Sequence, residues 1–280
     1  MPEGPEVKII TEQLAKEIVG KYLQDIEFGP TGRYKQEEPE GSKELLKALP
    51  LQILKVSCKG KFIYWELENE WSMWNTLGMT GNWRCWEWPA NVDKHTSVLF
   101  LLSSNKHDTE GDSVCFSDIR HFGTVKFVKG TNKLNKKLDS LGPDMLSAVV
   151  PFSIFDKIIK FGKSKTIVEI LMDQKYISGV GNYIKAESLY RAGISPWRKC
   201  NTLSDNESAK LYQEIKTVLQ ESYQAQGNTF STYKNVLGES GNYVSQLKVY
   251  GKDIDPLGNK VISEETKDKR TSWWVPGVQK

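Results

Sequence analysis

The feature that most constrains this chain is a change of hydrophobic pattern partway along it. Over residues 51–128, short apolar runs rich in aromatic and β-branched residues alternate with Gly, Asn and Asp; the runs are LQILKVS, KFIYWEL, WSMWN, VLFLL, SVCFSDI and TVKFV. Runs of this kind are typical of strands separated by turns. They predict a β-sandwich or barrel. A helix is predicted in front of it, from the spacing of Val7, Ile10, Leu14 and Ile18.

The second half of the chain has a helical pattern. PFSIFDKIIKF, TIVEILMDQ and NYIKAESLYRAG predict separate short helices, and a capping box of Ser204 and Glu207 predicts the start of a longer one. The Lys- and Asn-rich stretch at 129–139 is predicted to be a linker. After Val249 the pattern is again strand-like, with turns at 255–258 and 276–277. The prediction is an α+β fold of two domains, the second with a small β-appendage.

Composition argues against membrane and metal proteins. No apolar run approaches twenty residues, and the first residues, MPEGPEVKII, carry acids where a signal peptide carries Lys or Arg. We therefore expect a soluble, intracellular protein with no membrane contact. The four cysteines are dispersed, and with the three histidines they show no metal-ligand spacing, so we expect neither disulfides nor a bound metal.

The charge distribution is compatible with a nucleic-acid partner. The net charge is only +3, but lysines cluster at 126–137 and 157–165, and basic residues gather again at 267–270. Such clusters can bind phosphate. On charge alone, ordinary solvated faces remain the simpler interpretation.

The N-terminus offers a candidate nucleophile. Removal of Met1, which aminopeptidases perform when a small residue follows, would expose the secondary amine of Pro2. An α-amino group titrates at about pH 8, so such an amine can attack a sugar C1′ and leave an iminium. Glu3 and Glu6 follow closely, and either carboxyl could move a proton at the sugar. Both acids would also suit a helix start through the helix dipole alone.

The motif SGVGNY lies between two predicted helices and contains Gly179, Gly181 and Asn182. The glycines would let backbone N–H groups approach an anion, and Asn182 would open the second helix, where the dipole favours phosphate. A simple turn between helices explains the same residues.

Two motifs between strands could contact the stacked bases of a DNA partner. LGMTG contains Met79, and DIRHFG contains Arg120 and Phe122. An apolar pair beside an arginine could fill the space that an extruded base leaves. Ordinary core packing near strand ends explains Met79 and Phe122 equally well.

Together these motifs resemble the formamidopyrimidine-DNA glycosylase/endonuclease VIII family. The matching segments, in order, are MPEGPEV (1–7), CKGKF (58–62), LGMTG (77–81), DIRHFG (118–123), LMDQKYISGVGNY (171–183), ESLYRAGISP (187–196), LKVYG (247–251) and KRTSWWVP (269–276). Because they keep the same order over nearly the whole chain, the resemblance is highly specific.

The resemblance implies a bifunctional DNA glycosylase and abasic-site lyase of base excision repair. Pro2 would be the Schiff-base nucleophile and Glu3 the acid/base near the sugar, while Glu6 shapes the lesion pocket and Lys61 holds a phosphate beside the flipped nucleotide. The implied DNA-binding positions are Asn182, Arg270, Gly179 and Gly181, and the void-filling positions are Met79, Arg120 and Phe122.

The implied architecture has four segments. A catalytic β-sandwich is expected over 1–128, a linker over 129–150, a helix–two-turn–helix DNA-binding domain over 151–246, and a β-hairpin finger over 247–280. The expected partner is double- or single-stranded DNA that contains damaged bases or abasic sites. We expect a monomer that binds this DNA without a cofactor.

The chain departs from the family in its finger. Bacterial members carry four zinc-binding cysteines, whereas DPLGNKVI and WWVPGVQ stand in those places here. Arg270 keeps the position of the phosphate-contacting arginine. The appendage thus resembles the zincless finger of Nei-like enzymes, in which packing by residues such as Trp273 and Trp274 would replace the free energy of zinc coordination.

The motifs favour some substrates over others. MPEGPE is similar to the Nei branch and DIRHFG to the formamidopyrimidine branch, with His121 where that branch often has arginine. We expect oxidised pyrimidines, formamidopyrimidines and further-oxidised guanine products rather than intact 8-oxoguanine. A non-catalytic protein of the same fold that binds damaged DNA is one alternative. An RNA- or ribosome-associated protein is another, but it leaves the N-terminal motif unexplained.

Overall fold

A computed structural model describes residues 2–29, 32–87, 94–108, 111–147, 149–228, 235–236 and 238–280. The chain divides into two compact units. Unit 1 comprises the described residues of Met1–Pro2, Glu6–Asp139 and Gln226–Gly241, and unit 2 comprises those of Glu3–Pro5, Ser140–Ala225 and Asn242–Lys280. The four segment boundaries given above stay a prediction.

In the described part of unit 1, eight antiparallel strands form the sheet. They are β1 (Tyr22–Phe28), β2 (Leu51–Lys59), β3 (Phe62–Leu67), β4 (Trp71–Thr76), β5 (Gly81–Glu87), β6 (Thr96–Ser103), β7 (Asp112–Asp118) and β8 (Thr124–Lys129). Their hydrogen-bonded order is β5-β7-β6-β1-β2-β3-β4-β8. The helices of this part of the chain are α1 (Gly4–Ile18), α2 (Ser42–Leu46) and α3 (Thr131–Asp139).

Ring contacts show that the strands form a sandwich. Strands β3 and β6 are separated by β2 and β1 in the order, yet the rings of Trp65 and Phe100 lie 5.0 Å apart. The two halves of the sheet therefore fold face to face, and they are joined where β1 and β2 pair over only two positions. This confirms the predicted β-sandwich. The predicted face of α1 is confirmed too, because Val7, Ile10, Leu14 and Ile18 are all fully buried in this core.

The stretch at 129–139 requires a correction. It is not an irregular linker, because residues 131–139 form helix α3, in which Leu134 is buried. Lys59 donates a hydrogen bond of 2.7 Å to the carbonyl of Leu138 in its last turn. The lysines near the helix C-terminus also interact favourably with its dipole. The stretch is a short amphipathic helix with Leu134 and Leu138 one turn apart, although its many Lys and Asn residues are also typical of loops.

Unit 2 contains the helices α4 (Phe152–Gly162), α5 (Ile167–Met172), α6 (Asn182–Ala192) and α7 (Asp205–Gln224), so the predicted helices are confirmed. The Ser204–Glu207 capping box is present at the start of α7. A separate core joins these helices, with α4, α5, α6 and α7 contributing fully buried Phe155, Ile170, Ile184 and Leu211. In the described part of the chain, no helix is long and apolar enough to cross a membrane.

The C-terminal part of unit 2 is a β-hairpin appendage. Strands β9 (Ile262–Glu265) and β10 (Thr271–Trp274) pair antiparallel. Both predicted turns are confirmed: the amide of Gly258 donates to the carbonyl of Asp255, and that of Val278 donates to the carbonyl of Val275. A small apolar cluster joins this appendage to Ala186 and Tyr190 of α6.

Candidate active site

Backbone N–H groups in the first turn of helix α6 bind the carboxylate of Glu3. The backbone N–H of Tyr183 donates to one carboxylate oxygen at 3.0 Å and that of Ile184 to the other at 3.4 Å. Glu3 is only 2% exposed. The first N–H groups of a helix lack partners within the helix and carry partial positive charge, so they favour a negative group there. The anion that these two amides hold in this structure is a side chain of the chain itself.

The two glycines of SGVGNY make room for Glu3. A Cβ on Gly181 would lie 2.1 Å from the carboxyl carbon of Glu3. Gly179 has a φ of +90°, and its carbonyl accepts a hydrogen bond of 2.9 Å from the amide of Gly4. These glycines thus hold the segment that carries Glu3. Their predicted contact with DNA stays a prediction.

Asn182 links α6 to the hairpin. Its side-chain amide donates a hydrogen bond of 2.9 Å to the carbonyl of Thr271 in β10. Burial raises the pKa of the neighbouring Tyr250 phenol, as does the charge of Glu3, whereas a hydrogen bond with Asn182 and the charge of Arg270 lower it. Unit 2 therefore gathers the predicted residues Glu3, Asn182 and Arg270 around Tyr250.

Sequence reasoning missed a buried lysine in this cluster. Lys185 is fully buried, and its ammonium lies 2.8 Å from a carboxylate oxygen of Asp268, whose side chain is 3% exposed. Burial lowers the pKa of Lys185, while the carboxylates of Asp268 and Glu3 oppose that shift. The available signal was its position one helical turn before the buried Leu189, on the inward side of α6.

In unit 1, the predicted residues Pro2 and Glu6 are both buried, and Lys61 is half-buried in the turn between β2 and β3. Glu6 lies in the first turn of α1, and its carboxylate accepts a hydrogen bond of 2.8 Å from the backbone N–H of Asn228. Glu6 therefore joins the first turn of α1 to the backbone of Asn228. Met1, whose removal the sequence predicts, lies outside the described residues.

The two turns that carry Met79, Arg120 and Phe122 are tied together in unit 1. The hydroxyl of Thr80 donates to buried Asp118, and the backbone N–H of Arg120 donates to that hydroxyl at 3.0 Å. Phe122 is 54% exposed, with the guanidinium of Arg120 5.0 Å from its ring centre. Half-buried Met79 precedes Thr80. The structure thus brings the three predicted void-filling residues onto one pair of connected turns.

We expect Asp118→Ala to lower the free energy of unfolding by about 2–4 kcal/mol. The substitution removes the acceptor of the Gly123 amide, at 2.6 Å, and of the Thr80 hydroxyl. Urea denaturation measures the effect. Asp112→Ala, at the other end of β7, is the matched control, because it removes only a partly exposed ion pair with Lys21 and should cost less than about 1 kcal/mol. Equal losses in both variants would contradict a role for Asp118 in joining the turns.

The described residues offer no metal cluster, and burial shifts the pKa of two of the cysteines. These residues contain no group of three or more His, Cys, Asp or Glu side chains able to hold a metal ion. All four cysteines lie in the described residues, and none of them forms a disulfide. Burial raises the pKa of Cys85 to about 12 and that of Cys200 to about 11.

Comparison with known proteins gives consistent matches over the chain. Residues 1–125 match the Formamidopyrimidine-DNA glycosylase N-terminal domain, residues 141–234 its H2TH domain, and residues 241–280 its C-terminal domain. The formamidopyrimidine-DNA glycosylases of Desulfitobacterium hafniense (strain DCB-2) and Bacillus subtilis (strain 168) are each 32% identical to it. The alignments cover 91% and 92% of this chain and 90% and 91% of those proteins.

Solved structures agree with the sequence matches. The Lactococcus lactis Fpg (MutM) in complex with DNA that contains an oxidised pyrimidine aligns with a TM-score of 0.85 at 25% identity, covering all of both chains. The same enzyme bound to DNA that contains an abasic site aligns with a TM-score of 0.84, also at 25% identity, over 99% of each chain. The fold and these matches place the chain in the class of DNA glycosylases. The chain belongs to the formamidopyrimidine-DNA glycosylase/endonuclease VIII family.

Proposed function

We propose that this protein is a bifunctional DNA glycosylase and abasic-site lyase of base excision repair, with the amine of Pro2 as its nucleophile. Its relatives carry the name formamidopyrimidine-DNA glycosylase, and its structural neighbours hold DNA with abasic sites or oxidised bases. Damaged DNA is accordingly the partner, and as a repair enzyme the protein acts inside the cell. The observation that carries the chemistry is the buried carboxylate of Glu3 at the start of α6.

The proposed reaction begins with Pro2. The unprotonated nitrogen attacks C1′ of the damaged nucleotide, the glycosidic bond breaks, and the base leaves with the bonding electrons and takes up a proton. The nitrogen loses its own proton, and the sugar ring opens at O4′ to leave a positively charged iminium at C1′. That charge makes the C2′ proton acidic. Its loss expels the 3′-phosphate, and a second elimination expels the 5′-phosphate.

Glu3 is the proposed proton donor to O4′ of the opening sugar. A general acid must be held at a fixed distance from the atom that it protonates. The amides of Tyr183 and Ile184 fix the carboxyl group of Glu3, and the absence of a side chain at Gly181 leaves room for it. Glu6 would act differently, by helping to shape the lesion pocket while its carboxylate accepts a hydrogen bond from the backbone N–H of Asn228.

The remaining predicted residues would bind DNA. Lys61, Asn182 and Arg270 are the proposed phosphate contacts, which position the strand without reading its sequence. Gly179 and Gly181 would support them by shaping the turn before α6. The exposed ring of Phe122, with Arg120 and Met79 beside it, would fill the space of the extruded base.

We also propose that the appendage is a Nei-like zincless finger. Tryptophans support its shape, because Trp273 packs on Tyr250 with ring centres 4.4 Å apart and Trp274 donates a hydrogen bond of 2.7 Å to Glu264. The preferred lesions would be oxidised pyrimidines, formamidopyrimidines and further-oxidised guanine products, together with abasic sites. Intact 8-oxoguanine would be a poorer substrate.

A panel of duplex and single-stranded oligonucleotides, each with one lesion, tests the proposed function. We expect excision and strand cleavage at oxidised pyrimidines and formamidopyrimidines, with a covalent adduct when borohydride reduces the iminium. The same assay with a chelator present should give unchanged excision, since the proposed finger holds no metal. Binding without excision or adduct on every lesion would instead favour the non-catalytic alternative.

A further inference from the structure

The hairpin that carries Arg270 is too small to hold its own shape. Its strands β9 and β10 have four residues each and pair over four positions. An isolated two-stranded hairpin is marginally stable in water at best. Ile262, Ser263 and Glu265 of β9 are exposed, so that strand adds little apolar packing. The position of Arg270 must therefore depend on contacts outside the hairpin.

Helix α6 supplies three buried polar side chains that contact different parts of the appendage. Glu187 is fully buried and accepts hydrogen bonds of 2.8–2.9 Å from the backbone N–H groups of residues 248, 249 and 250. Tyr190 donates to Asp255 at 3.0 Å. Lys185 contacts Asp268, which lies in the turn between β9 and β10. Of these three contacts, the third reaches the turn that carries Arg270, and the side chain of Asn182 contacts the carbonyl of the next residue, Thr271.

A chain of hydrogen bonds connects the ion pair to Arg270. One oxygen of Asp268 contacts Lys185, and the other accepts a hydrogen bond of 2.6 Å from the hydroxyl of Thr266. The backbone N–H of Thr266 donates to the carbonyl of Arg270 at 3.0 Å, and that of Lys269 donates to the carbonyl of Thr266 at 2.8 Å. Lys269 has a φ of +57°, which a lysine rarely adopts. The turn is therefore held in one conformation between the ion pair and β10.

A buried ion pair is a poor source of stability. Removing both charges from water costs free energy that their attraction only partly returns, and apolar replacements are often as stable or more so. The side chains of Lys185 and Asp268 are both almost wholly inaccessible to solvent. An ion pair in such a place is better explained by the geometry that it imposes than by the stability that it adds.

We propose that the Lys185–Asp268 ion pair is a positioning device that fixes the Arg270 turn on α6 and so aims Arg270 at a DNA phosphate. This inference rests on the proposed function, in which Arg270 is a phosphate contact. Lys185 itself is buried and contacts no phosphate. Because the same helix begins at Asn182, the pair sets the spacing between two proposed phosphate contacts, Asn182 and Arg270.

The test compares variants that keep the net charge of the protein. Lys185→Met with Asp268→Leu removes the pair without leaving a lone buried charge. Thr266→Val removes the hydroxyl that connects Asp268 to residue 266, while it keeps the pair and the backbone hydrogen bond between residues 266 and 270. Lys55→Met with Glu66→Leu is the matched control, because it removes an exposed ion pair from unit 1. Thermal unfolding of each variant verifies the fold. The affinity for lesion-containing DNA is then measured over a range of salt concentrations and compared with that of Arg270→Ala.

We expect the Lys185/Asp268 double variant and Thr266→Val to behave as Arg270→Ala does. Each should bind roughly 10-fold more weakly and lose about one unit of salt slope, the change expected for one lost phosphate contact. Adding Arg270→Ala to the double variant should change affinity by less than about twofold, because the contact is already lost. A contribution to stability alone would lower Tm without changing the salt slope or the effect of Arg270→Ala.

Two outcomes would overturn the inference in different ways. In the first, the folded double variant and Thr266→Val show wild-type salt slopes while Arg270→Ala shows a reduced one. That result would contradict the positioning role and leave the proposed function intact. In the second, Arg270→Ala itself shows a wild-type salt slope. That result would contradict both the proposed phosphate contact of Arg270 and the proposed positioning role of the ion pair. Borohydride trapping of the wild-type protein reports separately on the proposed chemistry.

Discussion

Pro2→Thr is expected to abolish the borohydride-trapped adduct and to reduce base excision by at least about 1,000-fold. The primary amine of threonine lacks the rigid ring that directs the nitrogen of proline. The proposed contacts of Asn182, Arg270 and Lys61 with phosphate are unchanged, so affinity for damaged DNA should stay within about threefold of the wild type. Single-turnover excision and denaturing gels of the reduced adduct measure the loss.

Two controls make the Pro2 result interpretable. Because Pro2 is buried, thermal unfolding must show that the variant retains its fold. A second protein that keeps Met1 has the same side chains but converts the proline nitrogen into an amide, which cannot form an iminium. It should also fail to trap. Adducts of wild-type yield in both proteins would show that trapping does not require the secondary amine of Pro2.

Gly181→Ala is expected to reduce excision by about 100-fold or more through displacement of Glu3. The added Cβ would lie 2.1 Å from the carboxyl carbon of Glu3, so the carboxyl group must move. The backbone of Gly181, with φ −132° and ψ −160°, is extended and acceptable for alanine, so backbone strain does not explain a loss. Glu3 would lose its hydrogen bonds from Tyr183 and Ile184, which should also cost about 1–3 kcal/mol of stability.

Gly277→Ala is the matched control for that experiment. Both substitutions add one methyl group to unit 2, but a Cβ on Gly277 has no neighbour within 4 Å. The control should keep wild-type excision and stability. Single-turnover rates at saturating enzyme distinguish a loss of chemistry from a loss of binding. Wild-type rates for Gly181→Ala would show that Glu3 is not needed where the structure holds it.

Local patterns predicted the local structure well. The capping box placed the start of α7, and the glycines before Asn182 placed the start of α6, because both signals lie within a few residues of the helix that they begin. Helix α3 was missed because Lys and Asn are also frequent in loops, and the pair Leu134 and Leu138 is a weak helical signal. The choice between sandwich and barrel required ring contacts such as that of Trp65 with Phe100, which join distant strands.

The candidate site could be predicted in composition but not in arrangement. Family motifs identified Glu3, Asn182 and Arg270, yet no local pattern indicates that Glu3 binds amides 180 and 181 residues further along. Lys185 was missed for a related reason. A lysine within a helix is usually solvated, and its partner Asp268 lies 83 residues away.

The attachment of Glu3 to α6 also has a consequence during protein synthesis. Residues 3–5 leave the ribosome early, but they belong to the later-made unit and receive their hydrogen bonds from amides about 180 positions downstream. At ordinary translation rates that interval lasts roughly 10–40 s. Throughout it, the nascent β-sandwich lacks the anchored acid, and truncated chains that end before α6 never acquire it. Under the proposed mechanism, such truncated chains would lack the fixed carboxyl group that protonates the sugar.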